Sequence, residues 1–154
     1  MAIRLDGIAG PPLDGSRYSS AAIIIRQYHS ALLARAYYLN WRGGSTAEDR
    51  RLAAGIEDDE KLVEPPLLEG VTAGVYVLTG GERLWIPRLL VAITWLVGGI
   101  FLLRLAERIT SWSGAVAALA IYLFLPFGIV AGRSFQPDGV MVAALLGACL
   151  AAVR

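Results

Sequence analysis

Long apolar runs without charge fill the second half of the chain. Between Arg88 and Arg104 no charged residue occurs, and with Trp85 as an interfacial anchor this run reaches the roughly 20 residues of a bilayer-spanning helix. Two further runs of low charge follow it, and Pro126 is expected to kink the first of these two. The pattern predicts three membrane-spanning helices at about 85–105, 109–132 and 139–154, the last of them shorter than a full span and therefore expected to be truncated.

The first half of the chain, residues 1–84, has a polar pattern instead. Residues 17–39 predict an amphipathic helix lying in the membrane interface. Its polar face holds Ser19, Ser20, Arg26, Gln27 and Ser30, and its apolar face holds Tyr18, Ala21, Ile25, Tyr28, Leu32 and Ala36. Residues 43–62 show no sustained apolar period and predict an exposed loop with at most a short helix. Residues 67–78 predict a short helix that packs through Gly70 and Gly74.

Composition supports a membrane protein. Of the 154 residues, 56% are hydrophobic, which is above the ~45–50% apolar share of soluble domains. The mean hydropathy of the chain is +0.56. Charge is nearly balanced, with 14 Lys and Arg against 13 Asp and Glu, which argues against a nucleic-acid partner. The predicted fold class is an all-α, polytopic integral membrane protein whose external polar loop carries interfacial helices.

The charged loops suggest an orientation for the predicted helices. The loop with Arg104 and Arg108 is net positive, whereas the loop from Arg133 to Asp138 is neutral. Since basic loops favour the cytoplasm, the Arg133 loop and the polar N-terminal half are expected to face outside. This orientation would require an earlier span, so the start of the chain is also expected to be truncated.

Asp14 is the first candidate for chemistry. It lies in Pro11-Pro12-Leu13-Asp14-Gly15, a pattern typical of a turn with an Asx bond. The functional alternative is a general base, an ionised carboxylate that takes a proton from an alcohol.

Glu64 and Glu69 flank two prolines in the string Glu-Pro-Pro-Leu-Leu-Glu. The structural interpretation is an extended residue before proline and a carboxylate at a helix N-terminus. If both share a site with Asp14, their oxygens could bind a divalent cation.

Arg133 and Asp138 are the first and last residues of the string Arg-Ser-Phe-Gln-Pro-Asp, which lies between two predicted spans. Interfacial anchoring and a helix start at Pro137 and Asp138 explain them structurally. Functionally, arginine can fork onto a lipid phosphate. The only histidine, His29, offers no set of metal ligands and is interpreted as structural.

The order of these clusters resembles the N-terminal part of membrane-embedded C-type glycosyltransferases, especially the dolichyl-phosphate-mannose protein mannosyltransferase family. The resemblance covers nearly the whole chain, and residues 133–138 are its most specific part. It implies transfer of a sugar from a polyprenyl-phosphate donor to a hydroxyl acceptor, which could be protein, lipid or glycan, with inversion.

In that resemblance Asp14 matches the aspartate that activates the acceptor, and Asp138 matches the acidic residue of the second loop. Arg17, Glu64, Glu69 and Arg133 are implied to bind substrate, with Arg133 neutralising the departing phosphate. Gly15 stands where many relatives have an acidic or aromatic residue, so no paired-acid metal site is implied there. Two alternatives remain open from the residues alone: a non-catalytic membrane subunit and a transporter fragment.

Overall fold

A computed structural model describes residues 21–60 and 64–153, and within them every regular element is a helix. The helices are α1 (Ala21–Trp41), α2 (Ala47–Asp59), α3 (Leu67–Thr79), α4 (Trp85–Ile109), α5 (Trp112–Phe124), α6 (Pro126–Ala131) and α7 (Asp138–Ala152). The described residues form two compact units. The N-terminal unit extends to Pro87 and includes Phe135–Pro137, whereas the apolar unit comprises Arg88–Ser134 and residues 138–153.

Helix α1 is central to the N-terminal unit and contacts both α2 and α3. Its Tyr38 ring meets Tyr76 of α3 edge to face, with 5.9 Å between the ring centroids. A methyl group added at Gly70 would lie 3.7 Å from the Trp41 ring, whereas Gly74 faces open space. The predicted short helix is therefore confirmed as α3, but the predicted close packing holds at Gly70 and is wrong at Gly74.

The predicted polar face of α1 differs from the structure at two residues. Gln27 and Ser30 of that face are buried, while Ile25 and Tyr28 of the apolar face are 66% and 52% exposed, as an apolar face that meets a membrane would also be. Because α1 contacts two neighbouring helices, the direction of those contacts decides which residues are covered. Residues 18–20 of the predicted faces lie outside the described residues.

Helix α2 corrects the expectation of a loop at 43–62. A reciprocal capping box starts it: the Thr46 hydroxyl accepts from the Asp49 backbone N–H at 3.1 Å, and the Thr46 N–H donates to Asp49 Oδ2 at 2.8 Å. Ala53 is fully buried, and every other residue of this helix is half-buried or exposed. Composition obscured this element because its stability comes from the cap and from contact with α1.

The apolar unit contains the one helix among the described residues that is long and apolar enough to cross a membrane. This is α4, with 25 residues and a mean hydropathy of 2.2 over its most apolar window, which agrees with the first predicted span. The second predicted span is interrupted instead of merely kinked: α5 ends at Phe124, and α6 begins at Pro126. Proline at the first position of a helix needs no N–H partner, so a new helix starts there.

Close contacts hold α4 against α5 and α7. The Tyr122 ring stacks on Trp95 with 4.6 Å between centroids, and its hydroxyl donates to the Trp95 carbonyl at 3.0 Å. A methyl group at Gly98 would lie 2.7 Å from the Tyr122 hydroxyl and 3.4 Å from Ala143 Cα. The absence of a side chain at Gly98 therefore permits this approach of three helices.

Candidate functional site

A cavity of about 500 Å³ lies in the N-terminal unit. Its size falls in the range of small-molecule sites. The first half of α1, the end of α2, the segment before α3 and Pro137 contribute to its wall. The lining residues are Ile25, Arg26, Tyr28, His29, Ser30, Leu33, Glu60, Glu64, Pro65, Pro66, Glu69 and Pro137.

One ion pair and one hydrogen bond between a histidine and a carboxylate lie on the cavity wall. Arg26 Nη2 lies 2.6 Å from Glu64 Oε1, with both side chains about two-fifths exposed. His29 Nδ1 lies 2.5 Å from Glu60 Oε2. Since an ionised carboxylate can only accept, the proton of this hydrogen bond is on Nδ1, which leaves Nε2 as the other polar atom of the ring.

Glu69 differs from the other two carboxylates of the cavity. It lies in the first turn of α3, as predicted, and is only 3% exposed. Its Oε2 atom is buried and has no hydrogen-bond partner within the described part of the chain. A buried carboxylate oxygen without a partner is costly, so Glu69 is the group of this cavity that most needs a donor from outside.

The charge of Glu69 also reaches α1. The pKa of Tyr37 is raised, first because burial disfavours the phenolate and then because the carboxylates of Glu57 and Glu69 repel it. Tyr37 therefore stays neutral at physiological pH and remains able to donate through its hydroxyl.

The described lining residues of the cavity carry a surplus of negative charge. Among them, three carboxylates face one arginine and one histidine, so this part of the wall is net negative whether the histidine is neutral or protonated. Such a wall favours ligands that donate hydrogen bonds and disfavours phosphate. The apolar lining, which includes Tyr28 and three prolines, can cover the carbon skeleton of a ligand.

The string from Arg133 to Asp138 is divided between the two units. Arg133 and Asp138 belong to the apolar unit, are half-buried and have interactions of their own, and Asp138 is the first residue of α7, as predicted. The intervening Phe135–Pro137 belongs to the N-terminal unit, where Pro137 lines the cavity. The structure therefore joins the middle of this string to Glu64 and Glu69, a proximity that sequence order did not predict.

Asp14 and Arg17 lie outside the described residues, so their predicted roles remain predictions. The same holds for a cation bound by Asp14 together with Glu64 and Glu69. Within residues 21–60 and 64–153 there is no group of three or more His, Cys, Asp or Glu side chains placed to hold a metal ion.

The sequence interpretation did not single out Arg26, His29 and Glu60 as cavity residues. His29 was interpreted as structural because it is the only histidine, and Glu60 ends a run of acidic residues, 57–60, that is typical of a solvated surface. Their partners are 31 and 38 residues distant in sequence. Only the packing of α2 and the segment before α3 beside α1 brings these charges together.

Comparison with known proteins gives one match. Residues 63–154 match the family described as dolichyl-phosphate-mannose-protein mannosyltransferase. The matched range includes Glu64, Glu69, Arg133 and Asp138 and covers more than half of the chain. No significant match was found among curated proteins or among solved structures. On the strength of the family match, which agrees with the resemblance in the order of the motifs, the chain belongs to the dolichyl-phosphate-mannose-protein mannosyltransferase family of glycosyltransferases.

Proposed function

We propose that this protein takes part in the transfer of a sugar from a polyprenyl-phosphate donor to a hydroxyl acceptor. Membership of the mannosyltransferase family carries the proposal. Helix α4 supports it, because this helix is long and apolar enough to cross the membrane in which a lipid-linked donor resides.

The proposed reaction is a single displacement at the anomeric carbon. The acceptor oxygen forms the new bond to that carbon while its proton moves to the Asp14 carboxylate, the general base. The bond from the anomeric carbon to the phosphate oxygen breaks, and the lipid phosphate leaves with the electron pair. One displacement inverts the configuration of the sugar.

Further residues have supporting roles in this proposal. Arg133 neutralises charge that develops on the departing phosphate, and Arg17, Glu64, Glu69 and Asp138 bind substrate. The N-terminal unit faces the outside of the cell membrane, because the C-terminal end of α4 carries Arg104 and Arg108 and basic residues favour the cytoplasmic side.

The test uses membranes that contain the complete gene product. They are incubated with radiolabelled polyprenyl-phosphate mannose, with guanosine-diphosphate mannose as the comparison, and transfer to membrane glycans and proteins is measured. We expect transfer from the lipid-linked donor alone. Transfer only from the nucleotide sugar, or from neither donor, would contradict the proposal and favour a non-catalytic subunit or a transporter.

Asp14→Asn tests the base, and Asp6→Asn is the matched control on the same N-terminal segment. A general base contributes about 10²–10⁴-fold to a rate, so Asp14→Asn should reduce transfer at least about a hundredfold while Asp6→Asn leaves it close to wild type. Near-normal transfer by Asp14→Asn would remove Asp14 from the mechanism without affecting the assignment of the donor.

A further inference from the structure

The charges that line the cavity of the N-terminal unit distinguish the phosphate of a glycosyl-transfer substrate from its neutral sugar ring. Arg26 is paired with Glu64, and His29 with Glu60. Glu69 has no such partner within the described residues, and it is only 3% exposed. Of the three carboxylates in the described lining, the one without a side-chain partner is therefore also the most deeply buried.

A buried carboxylate can be stabilised by a cation or by hydroxyl groups that donate to it. A phosphate offers neither at neutral pH, because it is itself an anion and an acceptor. At close range, two unit negative charges repel each other by several kcal/mol at an effective dielectric constant of about 20. The cavity is thus poorly suited to the phosphate end of a lipid-linked donor.

The remaining wall suits a ring with apolar faces. Tyr28, Pro65, Pro66 and Pro137 present flat, rigid apolar surfaces to the cavity. Sugar rings combine C–H faces, which pack against such surfaces, with peripheral hydroxyls, which donate to carboxylates. Both kinds of group have a counterpart here, and the volume of about 500 Å³ leaves room for the ring and its substituents.

We propose that this cavity binds a neutral sugar ring, with Glu69 accepting hydrogen bonds from its hydroxyls. The inference rests on the proposed function for its choice of a sugar over other hydroxyl compounds. The ring could belong to the donor or to a glycan acceptor, since both present the same chemistry. Glu69 acts in ligand binding and takes no proton in the displacement.

Binding can be measured without turnover, so a failure of the proposed reaction would not affect this test. The complete gene product is purified in a detergent without a sugar headgroup, and saturation-transfer NMR is recorded with methyl α-mannoside and with mannose 1-phosphate. We expect the neutral glycoside to bind, and we expect the ratio of its affinity to that of mannose 1-phosphate to fall in Glu69→Gln, because loss of the carboxylate charge removes repulsion of a phosphate. No binding of the glycoside, or an unchanged ratio, would overturn the proposal.

Glu69→Gln keeps the shape of the side chain but removes its charge. Because a charge-assisted hydrogen bond is about twice as strong as a neutral one, this variant should bind methyl α-mannoside about tenfold more weakly. Glu82→Gln is the matched control, since Glu82 pairs with Arg35 in the same unit but does not line the cavity. Unchanged affinity in Glu69→Gln, with helix content preserved by circular dichroism, would also overturn the proposal.

The source of the ring is then assigned by inhibition of sugar transfer. Methyl α-mannoside that competes with polyprenyl-phosphate mannose identifies the cavity as the site of the donor sugar. Inhibition that is not competitive with this donor, and that is lost in Glu69→Gln, identifies it as the site of a glycan acceptor. Inhibition that persists unchanged in Glu69→Gln contradicts a role for this cavity in either one.

Discussion

Arg26 and Glu64 lie 38 residues apart in sequence, yet Arg26 Nη2 is 2.6 Å from Glu64 Oε1 on the cavity wall. Both side chains are about two-fifths exposed. An ion pair of this exposure contributes at most about 1 kcal/mol to stability. Its more important effect is on the charge that a ligand meets, because it offsets one of the three carboxylates.

Replacing Glu64 with Gln should therefore change ligand preference more than stability. Removal of one negative charge near the ligand should strengthen the binding of mannose 1-phosphate about fivefold, as expected for about 1 kcal/mol of electrostatic energy. Saturation-transfer NMR measures the change. The corresponding variant of another exposed pair in the same unit, Glu82→Gln, should leave this affinity unaltered. An equal gain in both variants would show that only net protein charge matters.

Acidification should weaken the start of α2 at an unusually low pH. Hydrogen bonds from Thr46 and Arg42 lower the pKa of Asp49 from 3.8 to about 2. A carboxyl whose pKa is lower in the folded state adds stability above its unfolded value, and that stability is lost as pH falls from about 4 towards 2. Circular dichroism between pH 5 and 2 should show this loss.

Asp49→Asn provides the comparison, because it lacks the titrating group. Its helix content at pH 6 should be lower than that of the wild type, and the difference between the two proteins should shrink below pH 3. A difference that does not change with pH would contradict the assignment of the cap to the ionised carboxylate.

Gly98 and Tyr122 should be energetically coupled. Gly98→Ala places a methyl group 2.7 Å from the Tyr122 hydroxyl, and overpacking of this kind costs about 1–3 kcal/mol. Tyr122→Phe removes the hydroxyl and its bond to the Trp95 carbonyl, at a cost of about 0.5–1.5 kcal/mol. The double variant should be less destabilised than the sum of the two, as measured by unfolding in mixed detergent micelles.

Gly147 is the matched control for this coupling. A methyl group there would lie 3.1 Å from the Phe101 ring, and its three nearest atoms all belong to Phe101. Gly147→Ala and Tyr122→Phe should therefore combine additively. If both glycines show the same coupling to Tyr122, the contact of Gly98 with the hydroxyl is not its cause.

Helix α4 should insert into a bilayer only while its centre stays apolar. Val97 lies at the middle of Trp85–Ile109, and its side chain is exposed on the surface of the protein. Arginine at the centre of a span costs about 2.5–3.5 kcal/mol on insertion scales. Val97→Arg should thus reduce the inserted fraction in a microsomal insertion assay, whereas Leu84→Arg, just before the helix, should have little effect. Equal insertion of the wild type and Val97→Arg would argue against α4 as a span.

The helical elements differ in how well their sequences predicted them. α3 and α4 follow from apolar runs bounded by proline, glycine and charge, and the start of α7 follows from Pro137 and Asp138. For α2 the sequence predicts at most a short helix, because its apolar content is low and its cap uses aspartate at a position where glutamate is the more familiar signal. The break at Pro126 was expected as a kink, since a pattern shows that proline disturbs a helix but not whether the helix restarts.

The sequence by itself determined three properties: the chain is helical, its second half is apolar, and the order of its motifs is that of a glycosyltransferase family. These properties depend on local periodicity, hydropathy and motif order. Tertiary structure alone decided which charges share the cavity. Glu69 is buried with its Oε2 atom unpartnered among the described residues. Glu64 pairs with Arg26 because α1 lies beside both α3 and the segment that precedes it. Pro137 joined them from more than 60 residues further along the chain. Contacts at such separations depend on how helices pack, which no local pattern records.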